Sequence, residues 1–213
     1  MVHTGGGKLI TPAFTTGYAI TEELEGGYSN HIDDRGGATM YGITESVARA
    51  YGYKGPMSEL PKSLSKEILK HEYWDRIKLD EVNNDLLAQL MFDASVNHGQ
   101  GTAVKMAQKA YNVLSASPIK VDGVIGPQTL SALNEHPKPF MLKLWFLFVR
   151  ADYYKGIVSR DQSQKTFIRG WTNRMDRWFK ELYRCTKKVP EVSSDVNSLV
   201  DLTIEELIRR LDK

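Results

Sequence analysis

The residues best suited to chemistry are two acids on either side of a glycine-rich bend near the start of the chain. Glu25 opens the sequence Glu-Gly-Gly-Tyr, and Asp34 follows nine residues later, just before the run Arg-Gly-Gly-Ala-Thr that ends at Thr39. Cleavage of a glycosidic bond uses such a pair, because one acid protonates the leaving oxygen while the other activates water or stabilises the sugar cation. The pattern therefore indicates a carbohydrate-cleaving site.

A short helix is predicted to carry Glu25. Residues 13–24 contain no proline, and their apolar side chains recur at spacings typical of an amphipathic helix. The glycines that follow Glu25 would end this helix and place Glu25 in its last turn, at the negative end of the helix dipole. Partial burial there would favour the protonated carboxyl group, which is the form that a general acid needs.

Asp34 has the opposite predicted setting. Residues 31–37 are polar and turn-forming, so Asp34 should stay solvated and ionised. Residues 28–30 and 39–44 are predicted to be two strands of a hairpin, with alternate residues of the second strand on opposite faces. Thr39 would then hydrogen-bond the attacking water beside Asp34. The simpler alternative is a helix-capping acid followed by a surface hairpin with an acidic turn.

The whole motif resembles that of glycoside hydrolase family 108, in which Glu-Gly-Gly-Tyr is followed by Asp-x-Gly-Gly-Ala-Thr-x-Tyr-Gly-Ile-Thr, here residues 25–44. Three later segments resemble the same family in the same order. Residues 92–99 resemble its central helix, residues 121–130 a peptidoglycan-binding element, and residues 167–174 its closing helix. The resemblance covers about residues 13–185.

This resemblance implies an N-acetylmuramidase with a lysozyme-like fold, of the kind found as phage endolysins and as secretion-associated bacterial muramidases. It implies that Glu25 is the proton donor and that Asp34 and Thr39 complete the catalytic set. The candidate substrate-binding residues are Tyr28, Tyr41, Asn97, His98 and Asp122. For Asn97 and His98, capping of the central helix is the simpler role, and the role of Asp122 rests on the resemblance alone.

The fold class predicted from the patterning is α+β and predominantly α-helical, with a small β-hairpin at the acids. Beyond the first helix, helices are predicted over 63–78, from a cap at Asn84 to Gly99, and over 102–114, 139–158 and 163–185, with a short strand near 120–121. The predicted divisions are a polar segment 1–12, a catalytic region 13–100, a helical peptidoglycan-binding region 101–188 packed on it, and a linker with an amphipathic helix over 189–213.

Composition is that of a globular enzyme made in a reducing compartment. No apolar run reaches transmembrane length, and Met1–Ile10 contains three glycines where a secretory signal would need an apolar stretch. Cys185 is the only cysteine among 213 residues, which fits synthesis in a bacterial cytoplasm. The expected site of action is the cell wall, reached through a separate pore or an exporter, and a monomer is expected.

Charge is distributed unevenly. Residues 1–100 hold 9 Lys and Arg against 14 Asp and Glu, whereas residues 138–188 hold 13 against 4. The surplus of basic residues could steer the protein toward the anionic cell wall, and basic residues interleaved with tryptophan also suggest nucleic acid. For the tryptophans a core role is favoured, because Trp171, Met175, Trp178, Phe179 and Leu182 recur at helical spacing. Peptidoglycan is the expected partner, without nucleic acid or stable membrane insertion.

No cofactor or metal is expected. The sequence from His71 to Asp75 superficially resembles a zinc-peptidase helix, but Asp75 replaces its second histidine. Two other functional classes are alternatives to hydrolysis: a non-catalytic cell-wall-binding protein, and a lytic transglycosylase that acts on the same bond. The presence of Glu25, Asp34 and Thr39 together argues against the first and favours hydrolysis over the second.

Overall fold

The computed structural model describes residues 10–25, 27–29 and 38–186, and Asp34, the first nine residues and the tail after 186 lie outside this part of the chain. The chain divides into two compact units with a boundary between Ala103 and Val104. Within the described residues the architecture is α+β and mostly helical, as the sequence predicts.

The first unit contains a small sheet among helices. Its helices are α1 (Pro12–Glu25), α2 (Glu45–Ala50), α3 (Lys62–Leu69) and α4 (Asp85–His98), and its strands are β1 (Tyr28–Ser29), β2 (Thr39–Met40) and β3 (Ile43–Thr44). Helix α5 (Gln100–Leu114) spans the boundary. The second unit contains α6 (Pro127–Asn134), α7 (Pro139–Arg160) and α8 (Ile168–Thr186), with a 3-10 helix at Gln162–Phe167 before α8.

Four of the predicted elements differ from the structure. The helix predicted over 163–185 begins with the 3-10 helix Gln162–Phe167, and its α-helical part is Ile168–Thr186. The helix predicted over 63–78 ends at Leu69 and continues as a π-helix over Lys70–Asp75. The single strand predicted over 39–44 is folded back on itself as β2 and β3, and no strand forms at 120–121. Helices α1, α4 and α5 agree with prediction to within two residues, and Asn84 caps α4 by accepting a hydrogen bond from Leu87 N at 3.1 Å.

Helix α1 packs along α4, and this contact forms the core of the first unit. The rings of Phe14 of α1 and Phe92 of α4 pack edge to face, with their centroids 5.5 Å apart. The ring centroid of Trp74, on the π-helix, lies 5.3 Å from that of Phe14. Gly17 permits the close approach, because a Cβ there would lie 3.1 Å from Cγ of Gln89. These contacts fix the direction in which α1 delivers its last residue, Glu25.

A buried polar cluster holds the start of α1. Lys70 is 7% exposed and bonds the carboxylates of Asp75 and Asp80. Asp80 also accepts hydrogen bonds from Trp74 Nε1 at 2.7 Å and from Thr11 Oγ1 at 3.1 Å. The cluster therefore joins the residue before α1 to the π-helix. It satisfies a buried cation that would otherwise destabilise the fold.

The core of the second unit is aromatic. Met175, Trp178, Phe179 and Leu182 of α8 are at most 2% exposed, which confirms the predicted core face. Trp171 is half-buried and stacks on Tyr154 of α7, with ring centroids 4.7 Å apart. The basic residues of α8 lie mainly on its other side, as the amphipathic pattern predicts. No helix in the described part of the chain is long and apolar enough to span a membrane.

Candidate functional site

Glu25 is the last residue of α1, as predicted, and its side chain is half-buried. One turn earlier, Thr21 donates a hydrogen bond to Asp93 of α4 at 3.2 Å, and both of these side chains are fully buried. The helix end is therefore anchored to the core immediately before the candidate acid. A carboxyl group fixed in this way is better placed for proton transfer than one on a mobile loop.

The tight turn between β2 and β3 supports Glu25. Its two residues, Tyr41 and Gly42, have φ angles of 53° and 78°, the combination of a type I′ turn. A Cβ on Gly42 would lie 2.8 Å from Cγ1 of Val96 and 3.0 Å from Cγ of Glu25. The glycine is thus required both by the backbone and by the space between α1 and α4, and the acid lies directly against the turn.

Thr39 and Tyr28 lie on the sheet that this turn closes. The three strands are antiparallel in the order β1-β2-β3, with Tyr28 opposite Met40 and Thr39 between Ser29 and Thr44. Met40 is buried, whereas Thr39 is half-buried and Tyr28 is 49% exposed. The sheet therefore places Thr39 and Tyr28 in the same small structure as the turn beneath Glu25.

Tyr41 is positioned by a chain of polar contacts from α1. Tyr18 donates a hydrogen bond to Glu22 at 3.2 Å, and Glu22 forms an ion pair with Lys62 at 3.0 Å. The Lys62 ammonium lies over the Tyr41 ring, 5.7 Å from its centroid. Burial, followed by the Glu22 charge, raises the pKa of Tyr18 to about 12, so this hydroxyl remains a donor at any physiological pH.

Tyr73 is a site residue that the sequence did not single out. It lies on the π-helix and is 9% exposed. Burial raises its pKa, and the charges of Glu72 and then Glu25 raise it further. The neutral hydroxyl of Tyr73 is therefore an electrostatic neighbour of the candidate acid. The sequence gives no signal for this role, but the structure does: Tyr73 lies on a π-helix where a regular helix is predicted, and π-helices are frequent at functional sites.

Helix α4 brings Asn97 and His98 to the same end of the first unit as Val96. Both side chains are half-buried in the last turn, and Gly99 ends the helix with a φ of 85°. Val96 lies against Gly42 of the turn. Asn97 and His98 are the two residues that follow Val96 in α4. Asp34 lies outside the described residues, and its predicted role stays a prediction.

Asp122 belongs to the second unit and has a local structural function. Its Oδ1 accepts hydrogen bonds from Val124 N and Gln108 Nε2, both at 2.9 Å, and Gln108 in turn accepts from Gly123 N at 2.9 Å. The backbone bond from Val124, followed by that from Gln108, lowers the pKa of Asp122. These bonds form an Asx turn before α6. Its predicted contact with substrate stays a prediction.

The described residues contain no group of three side chains suited to hold a metal ion. His71 contacts Glu72 at 3.0 Å, and the carboxylate of Asp75 is bonded to Lys70, so the zinc-like sequence is used for local ion pairs. Cys185 is exposed and unbridged. The chemistry that this site can support is acid–base chemistry by Glu25 beside a rigid turn.

Comparisons with known proteins give two family matches and one structural match. Residues 18–99 match the family model described as glycosyl hydrolase 108, and residues 102–176 match the model described as a predicted peptidoglycan domain. The structure is similar to that of SagA from Brucella abortus, with a TM-score of 0.67 and 27% sequence identity over 80% of this chain and 94% of that one. No curated protein sequence gives a significant match. The first match contains Glu25, Thr39, Tyr73 and Asn97.

Proposed function

The chain belongs to glycoside hydrolase family 108 and is a peptidoglycan-cleaving enzyme, and from this premise we propose that it hydrolyses the β-1,4 bond between N-acetylmuramic acid and N-acetylglucosamine. Its fold is lysozyme-like. The observation that carries the proposal is the position of Glu25, the last residue of α1, held against Gly42 at the turn of the sheet.

In this proposal Glu25 is the general acid. Its carboxyl proton passes to the oxygen that leaves with N-acetylglucosamine, while the bond from that oxygen to C1 of N-acetylmuramic acid breaks. The side chain of Glu25 is half-buried at the end of α1, where the fold holds its carboxyl group in one place. The neutral hydroxyl of Tyr73 adds a dipole near Glu25 without adding a competing charge.

Asp34 and Thr39 complete the reaction in the proposal. Water adds its hydroxyl to C1 of N-acetylmuramic acid, and its proton is taken up by a carboxylate. Proton exchange with solvent then restores the protonated Glu25 and the ionised second carboxylate. Asp34 is assigned the second carboxylate because the motif resemblance pairs it with Glu25, and Thr39 orients the water. The support for Thr39 is its place on β2, next to the turn that contacts Glu25.

Four residues of the first unit are proposed to contact the glycan. Tyr28 offers an exposed aromatic ring for a sugar face, and the Tyr41 ring is fixed by Lys62 beside the turn. Asn97 and His98 follow Val96 at the end of α4 and supply polar groups. In the second unit, Asp122 is assigned to the wall polymer by resemblance only, and we propose a supporting role for it through the Asx turn.

Mass spectrometry of digested peptidoglycan tests the reaction. Hydrolysis should release muropeptides that end in reducing N-acetylmuramic acid. Anhydro-muramyl ends would assign the enzyme to the lytic transglycosylases instead, because these close an internal ring where a hydrolase adds water. Release of peptides from intact glycan would contradict glycosidase activity altogether.

We further propose that the protein acts as a phage-type endolysin that lyses bacteria. It would be made in the bacterial cytoplasm, work as a monomer and reach the wall through a separate pore, and its single, unpaired cysteine fits synthesis in that compartment. A secretion-associated bacterial muramidase is the alternative.

Expression of the protein in the cytoplasm, with and without a co-expressed pore, tests the endolysin proposal. Lysis only with the pore is expected for an endolysin. Lysis in neither case would contradict the proposal.

A further inference from the structure

A cavity of about 570 Å³ lies within the second unit and has no part in the site described above. Its walls are the end of α5 at Tyr111 and Leu114, the loop 115–119, one face of α6, and the segment 135–137 that follows α6. All of these residues fall inside the match to the predicted peptidoglycan domain, which spans residues 102–176. The volume suits a ligand of a few residues.

The loop wall of this cavity is fixed in place. Asn112 of α5 bonds both backbone groups of Ile119, donating to its carbonyl and accepting from its amide, each at 2.8 Å. Ser115 and Ser117 bond one another across the loop at 3.1 Å. The cavity is therefore a preformed surface, which lowers the entropic cost of binding a ligand.

His136 is the polar side chain best placed to bind a ligand there. It is only 8% exposed, and its ring meets Tyr111 edge on at 5.6 Å. Its Nδ1 accepts a hydrogen bond from Lys138 N at 3.1 Å, so the neutral ring carries its proton on Nε2. The ring makes no other hydrogen bond with the described residues, and Nε2 is not one of their fully buried side-chain atoms that lack a partner, so it is accessible from the cavity. An imidazole N–H that borders a cavity and is accessible from it can donate a hydrogen bond to an acceptor of a ligand.

We propose that this cavity binds the peptide stem of peptidoglycan, with His136 Nε2–H donating to a stem carbonyl or carboxylate. Glu135, exposed at the cavity rim, pairs with the side-chain ammonium of the stem's diamino acid. The small apolar walls fit the methyl groups of alanine residues, and they are formed by Leu114, Ala116, Pro118, Ile119 and Ala132. The inference rests on the proposed substrate being peptidoglycan, but it does not depend on the reaction at Glu25.

A peptide suits these walls better than a glycan. Sugar rings are usually held by exposed aromatic faces, and the aromatic side chain of this cavity, Tyr111, is half-buried with His136 against it. The three tryptophans of the second unit, Trp145, Trp171 and Trp178, do not line it. Small apolar side chains combined with one carboxylate and one neutral donor match a short peptide that contains alanines, carboxylates and a single ammonium group.

The experiment is a binding titration of the full-length Glu25→Gln protein, which keeps the substrate intact. The probes are a synthetic stem peptide of alanine, glutamate and diamino acid, the same peptide with its side-chain amine acetylated, and a chito-oligosaccharide. The stem peptide should bind. His136→Phe, which keeps the ring and its packing, should weaken that binding roughly three- to tenfold, the range expected for one hydrogen bond.

Glu135→Gln should weaken binding of the free-amine peptide by a similar factor and leave binding of the acetylated peptide unchanged. Asp152→Asn, which removes an exposed carboxylate of α7 outside the cavity, is the matched control and should alter neither. Thermal unfolding shows that each variant is folded. Failure of the peptide to bind, equal affinity in the His136→Phe variant, or displacement of the peptide by the chito-oligosaccharide would overturn the proposal. Muropeptide analysis of the wild type tests the cleavage reaction separately.

Discussion

The side chain of Glu25 lies directly on the α-carbon of Gly42, so closely that a single added methyl group would be 3.0 Å from Glu25 Cγ and 2.8 Å from Val96 Cγ1. The last residue of α1, the turn of the sheet and the end of α4 therefore meet at one point. The left-handed backbone of Gly42 and its missing side chain are both needed for this contact.

Gly42→Ala should abolish most of the activity. The left-handed conformation costs about 1–2 kcal/mol for a residue with a Cβ, and the added methyl group displaces Glu25 or Val96. A shift of the acid by about 1 Å should lower kcat roughly 10²-fold. Gly52→Ala is the matched control, because Gly52 also has a positive φ but has open space around its Cβ position. Equal losses of activity per folded molecule in both variants would mean that the Glu25 contact is unimportant.

Glu25→Gln keeps the shape of the side chain but cannot donate a proton to the leaving oxygen. Turnover of peptidoglycan should fall roughly 10²–10⁴-fold, with an unchanged unfolding midpoint. Glu23→Gln, an exposed position on the same helix, should retain wild-type turnover. Release of reducing ends, measured together with circular dichroism, provides the readout. Wild-type turnover in Glu25→Gln would remove this residue from the mechanism.

The two remaining motif residues should differ in severity. Asp34→Asn should also reduce turnover severely, because Asp34 is the carboxylate proposed to activate water or stabilise the sugar cation. Thr39→Ala should be milder, since a second water can replace the hydroxyl group. The ratio of the two losses, measured with the same reducing-end assay, is the informative quantity. A larger loss in Thr39→Ala than in Asp34→Asn would reverse the proposed roles.

Sequence patterning predicted the helices well, because their apolar periods are long and their caps are marked by Asn84 and Gly99. It failed at 39–44, where alternating residues look like one strand but the chain reverses at Tyr41 and Gly42. The failure has a physical reason. A type I′ turn favours Asn or Gly at its first position, and Tyr41 adopts φ 53° against its own preference, with Lys62 over its ring.

The parts of the site missed by sequence reasoning have weak local signals. Tyr73 occupies an apolar position of a predicted helix, and its nearness to the charge of Glu25 is a tertiary relationship that the local sequence does not mark. His136 is a lone histidine in a Pro-rich connection, which ordinarily indicates a surface loop. In both cases tertiary contacts determine the role of the residue, whereas the motif around Glu25 is contiguous enough to be recognised from the sequence.

Acid should weaken the first unit through Asp80. Partial burial opposes ionisation of this group, but hydrogen bonds from Trp74, Lys70 and Thr11 outweigh burial and lower its pKa below 3.8. A lowered folded-state pKa stabilises the protein above the unfolded-state value, and this contribution is lost as the pH falls through the folded-state value. Asp80→Asn should therefore be less stable than wild type at pH 7, and the difference should shrink below about pH 4.

Urea unfolding at several pH values measures this effect. Glu59→Gln, an exposed acid of the first unit outside the cluster, is the control and should follow the wild-type curve at every pH. A difference between Asp80→Asn and wild type that stays constant from pH 7 to pH 3 would show that the loss arises from packing and not from the ionised carboxylate.

The surplus of basic residues in 138–188 should matter only for large anionic substrates. Some of the charge on α8 is neutralised, since Lys180 pairs with Asp176 at 2.6 Å and Arg184 with Glu181 at 2.9 Å. The exposed cations without such described partners include Arg160, Lys165 and Arg169. They lie between the end of α7 and the start of α8, so this group should contribute to steering toward the wall.

Changing Arg160, Lys165 and Arg169 together to glutamine should slow lysis of whole cells at low salt and leave cleavage of a short neutral glycan unchanged. The rates of cell lysis by the wild type and by this triple variant should converge near 0.15 M salt, where charges are screened beyond about 8 Å. Glutamine at Lys54, Lys105 and Lys109 removes the same number of exposed cations elsewhere and should have a smaller effect. Equal slowing by both triple variants would show that total charge is what matters, and slower cleavage of the short glycan would place the three cations in substrate binding.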